Sequence, residues 1–181
     1  DEVEKVLRDI EKKLEDVERR SKEVIDEIRK LLKEVEEESR RNVKKIREEL
    51  KKVVDDVRRK NVEREVLEEV KRLVDEILKK NEDVLREVTD LVRKVLRKNE
   101  EVLRTVKELI ERVLDELRKI DDEKFLRDVK RMVDEILDTA RELSRRTLEE
   151  IKRIIARIRE RSEKSHEEAR KALRDVEEKA R

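Results

Sequence analysis

The feature that most constrains the fold is an 18-residue repeat in the middle of the chain. Residues 66–119 are three consecutive copies, which begin at Val66, Val84 and Val102. Apolar residues occupy positions 1, 2, 5, 8, 9, 12 and 13 of each copy. At about 100° per residue these positions cover roughly 140° of a helix surface. Because about 3.6 residues make a turn, 18 residues complete five turns and the apolar face does not drift. The repeat therefore predicts a straight α-helix.

The same period continues on both sides of this segment. Residues 6–59 form three further copies, and residues 125–178 form three looser ones. The phase of the repeat breaks after residue 59 and again after residue 119, so we expect a turn at each break. Helices are predicted over residues 3–59, 63–119 and 122–180.

The two breaks contain residues suited to ending and starting helices. Asn61 is the best candidate for a cap at the first turn, because the chain contains no glycine. At the second turn, Asp121 is expected to cap the third helix, since its carboxylate can accept hydrogen bonds from free backbone amides. Ile120 and Phe125 have the spacing of a hydrophobic staple across that cap.

Three long helices joined by short turns must run up, down and up. The sequence therefore predicts an all-α fold, an antiparallel three-helix bundle of very long, nearly straight helices that forms one elongated domain over residues 1–181. No glycine or proline interrupts a helix, and nearly all core contacts are between neighbouring segments. We accordingly expect high thermal stability.

Composition excludes several classes of function. The chain has 53 basic and 52 acidic residues, and they are interleaved, so no field of one sign attracts nucleic acid or an anionic membrane. Phe125 is the only aromatic residue, and there is no cysteine. No apolar run is long enough to span a membrane, and the N-terminal residues lack the pattern of a signal peptide. We expect a soluble protein without nucleic-acid or membrane partners and without a cofactor.

Six polar residues fall inside the apolar stripe and are predicted to form two layers. Pairing the helices about the two turns aligns Ser21, Asn99 and Ser144 in a first layer. The same pairing aligns Ser39, Asn81 and Ser162 in a second layer, one repeat away. Buried amides and hydroxyls need hydrogen-bond partners, and clustering supplies them. The hypothesis is a buried network that specifies helix register; the alternative is a set of boundary residues that face water.

Four more polar residues lie at the edge of the stripe. Thr147 falls near the first layer, and Asn42, Ser165 and His166 fall near the second. For these residues the sequence leaves membership of a network and exposure to water open.

Known catalytic and metal-binding patterns are weak in this chain. Glu163 and His166 have the Glu-x-x-His spacing of a di-iron ligand pair, but such a site needs further inward carboxylates and a second histidine. His166 is the only histidine. A serine next to it could suggest nucleophilic catalysis, yet continuous helices offer few free amides for an oxyanion hole. We predict no metal site and no enzymatic activity.

The absence of glycine and proline, the 18-residue units, the Glu/Lys/Arg surface and the polar layers resemble a de novo designed, parametrically generated straight helical bundle. The resemblance implies a scaffold without natural biochemical activity, made by recombinant expression in the cytoplasm. The alternatives are a spectrin-like spacer rod and a helix-binding or oligomerising module. Ala156 is the only outward apolar residue that the pattern identifies on the third helix, so we expect a monomer that requires no partner.

Overall fold

The computed structural model of the protein describes residues 2–60 and 62–180. It contains three α-helices, which are α1 (Glu2–Arg58), α2 (Arg64–Leu117) and α3 (Glu123–Lys179). Each end lies within two residues of the predicted bound, and the predicted all-α three-helix bundle is confirmed. The cap predicted at Asn61 lies outside the described residues.

The 18-residue period sets which side chains each helix buries. In α1, the equivalent residues Ile10, Ile28 and Ile46 are all 0% exposed. In α2, Leu78 and Leu96 are 1% and 0% exposed. Because the same repeat position returns to the core in successive copies, the apolar face does not rotate about the helix axis, as expected for a period of 18 residues.

The contacts divide into two compact units, which we describe separately. Unit 1 comprises residues 1–29 and 92–152, and unit 2 comprises residues 30–91 and 153–181. Each unit has its own apolar core with residues from all three helices: Ile10, Leu114 and Leu137 belong to that of unit 1, whereas Ile46, Val74 and Leu173 belong to that of unit 2.

Ion pairs within unit 1 define the helix directions. Lys107 of α2 and Arg118, which directly follows α2, donate to Glu18 and Glu11 of α1, each at 3.1 Å, so residue numbers fall along α1 as they rise along α2. This order makes α1 and α2 antiparallel. Lys130 and Lys152 of α3 pair with Asp9 and Glu27 of α1, each at 3.2 Å. Their numbers rise together, so α1 and α3 are parallel.

The start of α3 differs from the prediction by one residue. Asp122, not Asp121, is the cap, because its Oδ1 accepts hydrogen bonds from the backbone amides of Lys124 at 3.1 Å and Phe125 at 3.4 Å. The next residue, Leu126, enters the core at 2% exposure, while Phe125 lies about 100° away around the helix and is 47% exposed. The predicted staple between Ile120 and Phe125 is therefore wrong.

Two of the helices expose part of their apolar stripe. Large hydrophobic residues between 41% and 60% exposed occur on α2 and α3. They are Leu73, Leu91, Val95, Val102, Leu109, Phe125, Met132, Ile136, Leu143 and Ile154. The expectation that Ala156 is the lone outward apolar residue on α3 is wrong. A stripe of roughly 140° is wider than the face that two neighbouring helices cover.

Candidate functional site: two buried polar layers

The tightest polar cluster in the described chain lies in unit 2. The Nδ2 of Asn81 donates a hydrogen bond to the Oγ of Ser162 at 3.1 Å and lies 3.3 Å from the Nε2 of His166. Exposure is 8% for Asn81, 6% for Ser162 and 1% for His166. One asparagine of α2 is thus joined to two residues one helical turn apart on α3. This cluster joins Asn81 to Ser162, the residue with which the sequence aligned it, and brings His166 into the same layer.

His166 is the chemically distinctive member of this layer. Its Nδ1 is buried and has no hydrogen-bond partner among the described residues. Burial lowers the pKa of the imidazole, and the positive charge of Arg170 lowers it further, against a smaller opposing effect of Glu38. The ring is therefore neutral at pH 7. A proton on both nitrogens would add a buried charge and a second unpaired donor, which is unfavourable away from water.

The layer in unit 1 is looser. The Nδ2 of Asn99 donates to the Oγ of Ser144 at 3.4 Å, near the long end for such a bond. Ser144 is buried at 4% exposure, but Asn99 is only half-buried. The residue numbers of this pair sum to 243, and so do those of Asn81 and Ser162. The predicted register of α2 against α3 is therefore found in both units.

The two serines of α1 are buried without completing the predicted three-residue layers. Ser21 and Ser39 are 5% and 6% exposed. Of the hydrogen bonds seen among residues 2–60 and 62–180, none joins either serine to an asparagine of α2. Polar residues of α2 and α3 therefore form the bonded part of each layer, and the two serines contribute small volume at the core face of α1.

The residues at the edge of the stripe divide into two groups. His166 belongs to the core, whereas Asn42, Thr147 and Ser165 are half-buried. Within the part of the chain that the structure describes, no hydrogen bond connects these three side chains to a layer. They lie at the boundary between core and water.

Thr89 is a buried polar residue that the sequence reasoning missed. It is 2% exposed, and its Oγ1 donates to the backbone carbonyl of Arg86 at 3.0 Å. Because the hydroxyl is satisfied within its own helix, the side chain can pack in the manner of valine. The available signal was weak, since Thr89 occupies repeat position 6, outside the seven apolar positions.

A cleft of about 340 Å³ lies beside the unit 1 layer, with Ser21 and Ser144 among its lining residues. Its rim is charged, but two of its cations are held by carboxylates. Arg145 donates to Glu142 at 2.7 Å and to Glu149 at 2.9 Å. The hydrogen bond to Glu142 lowers the pKa of the Glu142 carboxyl. Lys152 pairs with Glu27 at 3.2 Å. The cleft opens beside Ser21 and Ser144, and carboxylates partly neutralise the positive charge of its rim.

The metal-ligand pattern seen in the sequence does not form a cluster. Glu163 is exposed and lies 3.9 Å from Arg159, while His166 is buried in the polar layer. Among the described residues no group of three histidine, cysteine or acidic side chains is arranged to hold a metal ion. None of the described helices is long and apolar enough to cross a membrane.

Comparison of the chain with protein-family models, with curated proteins and with solved structures finds no match. The site is therefore interpreted from its own geometry.

Proposed function

We propose that the protein is a structural scaffold of de novo design, without natural biochemical activity, in which buried polar layers specify helix register. The observation that carries this proposal is the repeated pairing of α2 with α3 at one register, through Asn99 with Ser144 and Asn81 with Ser162. The resemblance to parametric bundles in repeat length, composition and polar layers supports the designed origin.

The energetic reason lies in the cost of a register error. If α3 slid by two turns against α2, Asn81 would lose both Ser162 and His166 and would face apolar side chains. A buried polar group left unpaired costs about 1–3 kcal/mol, and a slip leaves several unpaired at once. Apolar contacts alone discriminate less, because valine, leucine and isoleucine recur along each stripe. The polar layers thus contribute specificity more than stability.

The alternative function is a helical spacer or interaction module. The half-exposed hydrophobic residues of α2 and α3 favour interaction over a spacer role, because a spacer has no use for such a surface. This surface is compatible with a scaffold that assembles.

The test removes one layer completely. In the variant Asn81→Leu, Ser162→Ala and His166→Leu, no polar side chain of the bonded layer remains, so the free energy of unfolding should equal or exceed that of the parent. The register of α2 against α3 is measured separately, as the distance between spin labels at Arg72→Cys and Lys171→Cys. Both are exposed positions of unit 2, and the chain has no native cysteine.

We expect the label-to-label distance distribution to be broader in the layer-free variant than in the labelled parent. A distribution of unchanged width in an equally stable variant would show that apolar packing alone specifies the register, and would remove the proposed role of the layer.

A further inference from the structure

Unit 1 contains most of the exposed apolar surface. Seven of the ten half-exposed large hydrophobic residues belong to it. On α2 they are Val95, Val102 and Leu109, and on α3 they are Phe125, Met132, Ile136 and Leu143. We refer to these seven residues as the apolar face.

The apolar face lies along the groove between α2 and α3. On α2, Lys107 marks the side that pairs with α1, and Leu109 lies about 160° around the helix from it. On α3, Lys130 marks the side that pairs with α1, and Met132 lies about 160° from it. Both strips therefore point away from α1.

The hydrogen bond from Asn99 to Ser144 fixes the height of the exposed apolar residues of α2 relative to those of α3. Residues of α2 and α3 whose numbers sum to 243 lie at the same height. Leu109 is thus level with the segment between Met132 and Ile136, and Val102 is level with residue 141, beside Leu143. On α3 the apolar face ends before Glu150, which lies 18 residues after Met132 and therefore has the same repeat position.

We propose that this apolar face binds a second copy of the chain in an antiparallel two-fold dimer. Lys98 lies eleven residues before Leu109, and Glu116 lies seven residues after it. At about 100° per residue, each of the two is about 20° from Leu109 around the helix. Both are exposed. An antiparallel α2–α2 pairing that is centred midway, at residue 107, brings Lys98 of each copy to Glu116 of the other.

The charges on α3 independently place the two-fold axis at the same height along the helices. Asp128 and Arg146 share one repeat position beside the strip and are exposed. Their midpoint is residue 137, which is the level of residue 106 on α2. An axis through this single level therefore pairs opposite charges along both helices. It also brings Met132 opposite Leu143 of the second copy and Ile136 close to its own counterpart.

The competing two-fold arrangement, with its axis along the helices, is disfavoured by the same residues. That arrangement packs α2 of one copy on α3 of the other at unchanged height. Lys98 would then face Arg146, and Glu116 would face Asp128. Like charges directly opposed at an interface oppose association. These four charged residues therefore favour the antiparallel dimer.

The carboxylates of Glu116 and Asp128 and the guanidinium of Arg146 already have ion-pair partners three or four residues away in the chain. Arg146 pairs with Glu142 at 3.3 Å, Glu116 with Lys119 at 3.7 Å, and Asp128 with Arg131 at 3.6 Å. Such exposed pairs contribute little. Each side chain can exchange its partner in its own chain for one across the dimer.

The experiment measures the mass of the full chain by sedimentation equilibrium. We expect a species of about 44 kDa, twice the chain mass of 22.1 kDa, at concentrations up to about 200 µM. The variant Leu109→Glu should raise the dimer Kd at least about 100-fold, because it buries an unpaired charge at the centre of the interface. Leu73→Glu is the matched control: Leu73 has the same repeat position and similar exposure, but it belongs to unit 2.

Charge reversal tests the orientation. Lys98→Glu alone creates two repulsive contacts in the dimer and should raise the Kd about tenfold. Adding Glu116→Lys restores complementarity and should return the Kd to within about threefold of the parent value. Circular dichroism of each variant verifies that the helices remain folded.

Three results would each overturn the proposal. The first is a monomeric parent throughout the concentration range, which would leave the face to an amphipathic helix of another protein. The second is an equal effect of Leu73→Glu and Leu109→Glu. The third is failure of the charge-reversed double variant to recover, which would exclude the antiparallel centre at residues 107 and 137.

Discussion

The polar layers of unit 1 and unit 2 use the same pair of residue types in the same register, but they differ in the access of water to the asparagine. In unit 2, Asn81 is buried and bonds at 3.1 Å to Ser162, with His166 beside it. In unit 1, Asn99 is half-buried, its bond to Ser144 is 3.4 Å long, and a cleft opens next to the serine. The unit 2 layer is dry, and the unit 1 layer is partly solvated.

The difference in access of water determines how large a penalty each layer can impose on misaligned helices. An unpaired polar group costs most where water cannot replace its partner. The unit 2 layer should therefore impose the larger penalty on misaligned helices, and it is also the layer with the unpaired imidazole nitrogen. The unit 1 layer tolerates imperfect geometry, because water reaches Asn99.

The units also differ in their exposed apolar surface. Unit 1 includes the seven residues of the apolar face, whereas unit 2 has only Leu73, Leu91 and Ile154 among the half-exposed large hydrophobic residues of the described chain. The unit with the looser polar layer is thus the one proposed to associate, and the unit with the drier layer is the one in which the buried layer is proposed to specify the helix pairing.

The largest expected effect that separates the layers is the loss of Asn81. The variant Asn81→Leu leaves Ser162 and His166 without their partner and adds volume beside the imidazole, so we expect a loss of about 2–4 kcal/mol in the free energy of unfolding. Asn99→Leu is the matched comparison, and its expected loss is only about 1 kcal/mol, because Ser144 borders a cleft that is open to solvent. Equal losses in denaturant unfolding would contradict the contrast in solvation.

A smaller effect should appear in the pH dependence of stability. In the unfolded chain the imidazole binds a proton below its ordinary pKa of 6.5, but burial lowers the pKa of His166 in the folded chain. Between these two pKa values the unfolded state binds more protons. The stabilisation is therefore complete above pH 6.5 and is lost as the pH falls towards the pKa of the folded state.

The measurement for this prediction is urea unfolding between about pH 7 and pH 5.5, above the range in which ordinary carboxylates titrate. His166→Gln should remove the decline, whereas Asn99→Leu, which leaves unit 2 intact, should retain it. A decline that persists in His166→Gln would assign the pH dependence to other groups.

The smallest effect is expected at Thr89, a buried polar residue outside the bonded layers. Since its hydroxyl is bonded to the carbonyl of Arg86 in its own helix, Thr89→Val removes a donor and leaves no partner stranded. The free energy of unfolding should change by less than about 0.5 kcal/mol. A loss comparable to that of Asn81→Leu would mean that the hydroxyl has an energetic role beyond its own helix.

The bounds of the helices and the register of α2 against α3 could be predicted from the repeat pattern. An 18-residue period and the two breaks in its phase gave helix ends within two residues of those observed, because uninterrupted apolar periodicity leaves no competing structure in a chain without glycine or proline. The pairing of Asn99 with Ser144 and of Asn81 with Ser162 also followed from the sequence, since short turns fix how antiparallel helices align.

Which positions of the apolar stripe are covered by a neighbouring helix depends on how the three helices pack, and the repeat pattern does not contain this information. Leu109 and Val102 have the same residue types as core positions, and periodicity cannot separate them from Ile110 and Leu103. The distinction depends on the direction in which α1 lies, which the ion pairs of Lys107 and Arg118 reveal. The burial of His166 has the same origin: a rotation of about 100° per residue places adjacent residues in different surroundings, and neighbouring helices determine which of them is buried.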